Sequence, residues 1–157
     1  MKKWISMILA LVLLFGLVGC RQQESIHFYY PRTQIQYGVA DGVIAAEPRE
    51  LEGTNRSLEF ILKLYLEGPV SQDLRSPFPK GTALANLKQE QDTIVVTLSP
   101  PFGLLEDLDY IIACACVAST CFALTEAESV TVATGQTQMT LTRDNLSLAD
   151  QAASIPE

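Results

Sequence analysis

Seventeen consecutive residues, Leu108 to Leu124, carry a single charge at Asp109 and are apolar on nearly every side when wound as a helix. A helix of that kind has almost no face to offer water, so the rest of the chain has to fold over it. Glu106, Asp107 and Asp109 stand where it would begin, and carboxylates there favour the helix dipole. The pattern predicts a deeply buried helix over about 106–124. Cys114, Cys116 and Cys121 lie inside it. On a helix, positions 114 and 116 point about 200° apart and 116 and 121 about 140° apart. Positions 114 and 121 share a face but sit ~10 Å apart along the axis, beyond the ~7 Å that a disulfide spans. These cysteines read as small buried hydrophobes. Their spacing is not C-x₂-C and the single histidine, His27, is far away in sequence, so no metal or other cofactor is expected.

A second helix is written in the stripe Leu58, Ile61, Leu62, Tyr65, Leu66, whose spacing gives one apolar face. Thr54 or Asn55 could cap its start, and Gly68-Pro69 stops it. Around these helices lie short β patterns. Ile26 to Tyr30 is a first strand halted by Pro31, and residues 42–51 form a second with Pro48 at an edge or bulge. Residues 82–89 and 93–98 make two more about a three-residue connection at 90–92, and Ile94, Val96 and Leu98 define one firmly apolar face. Val130–Ala133, a turn at Gly135-Gln136, and Met139–Thr142 complete the set. The order β-β-α-β-β-α-β-β predicts an α+β domain, two helices packed on one face of a mostly antiparallel sheet.

The N-terminus carries a different signal. Lys2 and Lys3 precede an apolar run from Trp4 to Val18, and Leu17-Val18-Gly19-Cys20 reads as a lipobox. Cleavage between Gly19 and Cys20 would leave a diacylglyceryl-Cys20, whose two acyl chains suffice for stable anchoring. The expected partition is a signal peptide at 1–19, a lipidated tether at 20–25, the domain at 26–142 and a polar tail at 143–157 that frays. The expected location is extracytoplasmic, on the outer face of a bacterial membrane. Without residues 1–19 the chain loses two lysines and no acid, so its net charge falls from −7 to −9. That balance excludes the basic face that nucleic acid requires. It also leaves the lipid, not lipid-headgroup charge, to hold the protein at the membrane.

Several segments together resemble the GerMN domain family of sporulation and spore germination. They are Leu66-Glu67-Gly68-Pro69, Pro79-Lys80-Gly81-Thr82 with Leu84, Ile94-x-Val96-x-Leu98-Ser99 followed by Phe102, Thr120, and Val130-Thr131-Val132 with Gly135-Gln136. Their order and spacing span roughly residues 25 to 142. The resemblance implies a ring-building-motif-like (GerMN) sandwich, found in envelope assemblies that stack against copies or relatives of themselves, with no catalytic activity. Thr97 stands where the family commonly has an acidic residue, and Ala113-Cys114-Ala115-Cys116 is this chain's own version of the second helix.

The residues themselves point away from an enzyme. A catalytic triad or Cys-His pair would need His27, which sits in the first strand beside two tyrosines. Glu106, Asp107 and Asp109 are accounted for by the helix start, and Glu126 and Glu128 by a solvated turn. The rigid loop Ser76-Pro77-Phe78-Pro79-Lys80-Gly81 is the candidate interface, with Phe78 and Pro79 as anchors and Phe102 after Pro100-Pro101 as a second; the alternative for each ring is that it folds back over the sheet edge and seals the core. The expected function is a lipid-anchored, non-catalytic binding or assembly module, in sporulation or germination. Its partners would be the membrane, further copies of itself or an envelope protein. The alternative is a lipoprotein that binds a small molecule or cell-wall fragment.

Overall fold

The computed structural model describes residues 25–146 apart from positions 52 and 136. Gly19, Cys20 and the signal segment lie outside the described residues, as does most of the expected tail. The elements are β1 (Ser25–Pro31), β2 (Ile44–Glu50), α1 (Leu58–Leu66), β3 (Leu84–Glu90), β4 (Thr93–Leu98), α2 (Asp107–Leu124), β5 (Ser129–Thr134) and β6 (Thr137–Thr142). A short 3₁₀ turn, Pro100–Leu104, leads from β4 into α2. The fold is α+β, in the order that the sequence predicts.

The sheet differs from the expectation. β1 and β2 form their own antiparallel ribbon, while β3-β4-β5-β6 make a separate four-stranded sheet in which β4 and β5 are parallel. Two physical facts account for this. α2 carries the chain from the end of β4 back to the start of β5, so these neighbours run in the same direction. The edge of β1 that would have joined the sheet is taken by α2 instead, with the Tyr29 N–H donating to Thr120 Oγ1 at 3.0 Å.

Alternation in β4 and β5 places Ile94, Val96, Leu98, Val130 and Val132 against the helices, each 2% exposed or less. α2 packs along β1 and across β5. It is long and apolar enough to cross a membrane by composition alone, yet ten of its 18 residues are buried in the domain. α1 is bolted to β1 by a reciprocal pair. The Tyr30 hydroxyl donates to the Tyr65 carbonyl at 2.6 Å, and the Tyr65 hydroxyl donates to the Tyr29 carbonyl at 2.9 Å. Burial pushes both phenols well above their usual range.

Smaller corrections are local. The N-cap of α1 is Ser57, whose Oγ accepts from the Phe60 N–H, while Asn55 accepts from the Ser57 N–H one step earlier. The β3–β4 turn holds two residues rather than three, with Gln91 at φ 50°. Arg143, assigned to the fraying tail, is part of the domain. It donates to the carbonyls of Phe122, Thr125 and Ala127 and lies 4.8 Å over the Phe122 ring, holding the end of α2.

Cys114, Cys116 and Cys121 are free thiols with no exposed surface. Burial raises all three, Cys114 to about 11 and Cys121 to about 12, with Cys116 higher still. A thiol whose pKa is raised by folding stabilises the domain below its unfolded pKa and loses that contribution as pH climbs toward the folded value. With an unfolded pKa near ~8.5, the three thiols together should cost roughly 2 kcal/mol of stability between pH 8 and pH 9. Urea denaturation at both pH values should show that loss and a smaller one in the triple variant Cys114→Ala, Cys116→Ala, Cys121→Ala. Parallel pH profiles for the two proteins would contradict the assignment.

Candidate docking surface

Of the anticipated interface residues, Phe102 is not at the surface. It is 0% exposed and sits between Phe78 (ring centroids 6.3 Å apart) and Tyr110 (5.7 Å). The 3₁₀ turn started by Pro100-Pro101 rotates its ring inward, where the sequence left it free to point either way. Phe78 is half-buried. Its ring meets Tyr65 edge-on at 5.3 Å and closes a chain of rings through Phe28, Tyr30 and Tyr65. It therefore seals the core with one side and leaves the other side accessible.

That outer side, with half-buried Pro79, lines a cleft of about 220 Å³ between the loop Arg75–Pro79 and the start of α2. Leu105 and Ile112 complete its apolar wall, and an Arg75–Asp109 pair at 3.5 Å spans the rim. Next to it stands an apolar ridge that the sequence reading did not single out: Leu104, Leu108 and Ile111, which are 76%, 52% and 48% exposed. Spacings of four and three place the last two on one helix face with Ile112 and Asp109 as neighbours. A signal was available, because Glu106, Asp107 and Asp109 interleave with these residues and all three are exposed. An end of a helix that presents carboxylates to water presents its adjacent aliphatics there too.

The loop preceding this cleft is fixed by a buried carboxylate. Glu47, 7% exposed on β2, accepts from the backbone N–H groups of Val70 (2.9 Å) and Ser71 (2.7 Å) and pairs with Arg49 at 2.9 Å. Arg49 also donates to the Gly68 carbonyl at 2.9 Å and lies 5.5 Å over the Phe28 ring. Gly68, at φ 100°, makes the turn that brings these amides to Glu47. Further along, the Arg75 N–H donates to the Pro31 carbonyl at 2.9 Å, tying the cleft's rim to β1.

A second, polar cavity of about 450 Å³ lies between the β1–β2 loop and this segment, lined by Arg32, Gln34, Gln36, Asp41, Gln72 and Asp73 among others. His27 is exposed on β1 opposite Pro48, away from Glu126 and Glu128 in sequence and from any of the cysteines in burial.

Residues 27–139 match the Germane family, described as sporulation and spore germination. No curated protein sequence matches the chain significantly. The fold is similar to the first GerMN domain of the sporulation protein GerM from Bacillus subtilis, at 18% identity and a TM-score of 0.56, over 74% of this chain and 86% of that one. It is also similar to the tandem GerMN domains of GerM from Bacillus subtilis, at 17% identity and a TM-score of 0.55, over 74% of this chain and 40% of that one. Identities this low speak for the fold alone, whereas the family match spans well over half of the sequence. The chain belongs to the Germane family of sporulation and spore germination, and its domain has the GerMN fold.

Proposed function

We propose that this protein is a lipid-anchored, extracytoplasmic assembly module that docks an envelope protein and performs no catalysis. The observation that carries the reading is the apolar ridge of Leu104, Leu108 and Ile111 beside the Phe78–Pro79 cleft. Large aliphatics grouped at the surface of a domain mark interaction sites, and here a concave apolar pocket adjoins them. The acids around the ridge would set orientation and exclude acidic partners. The lipobox ending at Cys20 supports the anchor, and membership in the Germane family supports a role in sporulation or germination. A second reading, binding of a cell-wall fragment, is favoured by the polar cavity at Arg32, Gln34, Gln36 and Gln72, whose amides suit a hydroxylated ligand.

One set of membrane preparations tests both halves of the main reading. Leu108→Glu with Ile111→Glu should leave the melting point within a few degrees of wild type, since exposed positions rarely change stability by more than ~0.5 kcal/mol each. It should also abolish crosslinked partner recovered from native envelopes. Cys20→Ser should remove the protein from the membrane fraction and leave uncleaved precursor. Undiminished recovery of partner from the double variant would sink the docking surface, and normal processing of Cys20→Ser would sink the anchor.

A further inference from the structure

We propose that the free edge of β6 pairs antiparallel with the β6 of a second copy of this chain, joining two four-stranded sheets into one of eight strands. An exposed strand edge is a template for pairing, and folded proteins guard such edges with charge, proline, bulges or cover. The other edges here are guarded. β1 donates from Tyr29 to Thr120 of α2. β2 carries Glu47, Pro48, Arg49 and Glu50. β3 has a register irregularity between Leu84 and Asn86, with Lys88 and Glu90 beyond it. Among the described residues, none of these devices guards β6. Its sequence, Thr137 to Thr142, is TQMTLT, uncharged in a chain of net charge −7, and its register with β5 is unbroken over all six residues.

The occupant follows from which groups face outward. The Thr134–Thr137 pair closes the β5–β6 hairpin, so hydrogen-bonded pairs alternate from there: Thr134–Thr137, Val132–Met139 and Val130–Leu141. The N–H and C=O groups of Gln138, Thr140 and Thr142 then point away from β5. Among the described residues, no backbone hydrogen bond outside the β5 ladder engages Gln138 or Thr140. Thr142 caps the helical turn at 143–146, its Oγ1 accepting from the Asn145 N–H at 3.3 Å and its C=O facing that turn, so Thr142 offers only its N–H. A two-fold axis at Thr140 sets Thr140 against its own copy and Gln138 against Thr142, giving on the order of four interchain bonds. With the axis at Thr140, Met139 faces Leu141 of the second copy. Both are half-buried and packed on the core side, so the two hydrophobic cores would become continuous. On the opposite face only hydroxyls and amides meet, among them Thr140, already bonded to Thr131 at 2.8 Å. Apolar meets apolar and polar meets polar without any change of side chain, and no like charges are opposed. The contact is small, so it should be reversible in solution and strengthened wherever copies are held on one surface.

This contact is separate from the cleft at Phe78, and its test works on the full chain with Cys20 either lipidated or replaced by serine, so that no free thiol at position 20 takes part. Opposed Thr140 Cα atoms would lie about 5.5 Å apart, within disulfide range. Thr140→Cys, oxidised with copper phenanthroline, should give a band at twice the monomer mass in at least tenfold higher yield than Lys88→Cys on the guarded edge. Gln138→Cys with Thr142→Cys should crosslink likewise, and adding Thr140→Lys should cut that yield about tenfold. Thr140→Pro, which removes an outward N–H and the exposed hydroxyl bonded to Thr131 but no bond of the β5 ladder, should also prevent association and leave the circular dichroism unchanged. Equal yields at 140 and 88, an undiminished yield with Thr140→Lys, or a crosslink to a different protein would each overturn the proposal.

Discussion

Phe102→Ala should destabilise the domain by about 3–5 kcal/mol, the usual cost of deleting a fully buried aromatic ring. For a domain of this size that corresponds to roughly 15 °C of melting temperature. The ring is 0% exposed and braces Phe78 on one side and Tyr110 on the other. Its loss opens a cavity under the loop that forms the cleft, so Phe78 and Pro79 lose their support along with the core. Phe78→Ala should cost less, because that ring is only partly buried and its contact with Tyr65 is one edge. Thermal melts of the two variants rank them directly. A Phe102→Ala protein that melts like wild type yet fails to bind partner would place Phe102 at the interface and not in the core.

How far the sequence could be read depended on what kind of signal each feature left. The strand Thr93–Leu98 was legible because alternation is a property of neighbours in sequence, and Ile94, Val96 and Leu98 all face the core. Both helices were legible for the same reason. The division into a ribbon and a sheet was not. It depends on Thr120 of α2 reaching the edge of β1, a contact between residues 91 positions apart that no local pattern encodes. Phe102 and Phe78 were ambiguous as sequence because an aromatic after prolines packs inward or outward according to the surface beneath it. The ridge at Leu108 and Ile111 was hidden for the opposite reason. In a helix apolar on every side, the aliphatic left uncovered is indistinguishable from those that are buried, except through the acids beside it. Glu47 left no signal at all. A glutamate in a strand next to Pro48 and Arg49 reads as an edge residue in water, and only the return of the Gly68 turn makes it a buried anchor.

That anchor gives the second large effect. Glu47→Ala should lower stability by about 3 kcal/mol, near the lower end of what breaking a buried ion pair costs, because the Arg49 left behind keeps a quarter of its side chain in water. The melting temperature should fall by about 10 °C. The damage has two parts: a guanidinium without its partner, and the amides of Val70 and Ser71 without their acceptor. Arg49→Ala should cost only about 1–2 kcal/mol, since the carboxylate keeps both amides and loses one partner, while the Gly68 carbonyl turns to water. The two single variants should therefore be unequal, and the double variant should cost less than their sum, the mark of a coupled pair. Urea denaturation of all three measures this. Equal single effects would mean that the ion pair, not the amide clamp, dominates. Amide hydrogen exchange adds a local test. In Glu47→Ala, Val70 and Ser71 should exchange faster by a larger factor than the amides of β4, because the carboxylate that accepts from them is gone while the core strand opens by global unfolding. Since the chain from Gly68 leads straight into Arg75–Pro79, release of this turn should also loosen the rim of the cleft. Partner binding would then weaken by a route that touches no residue of the docking surface.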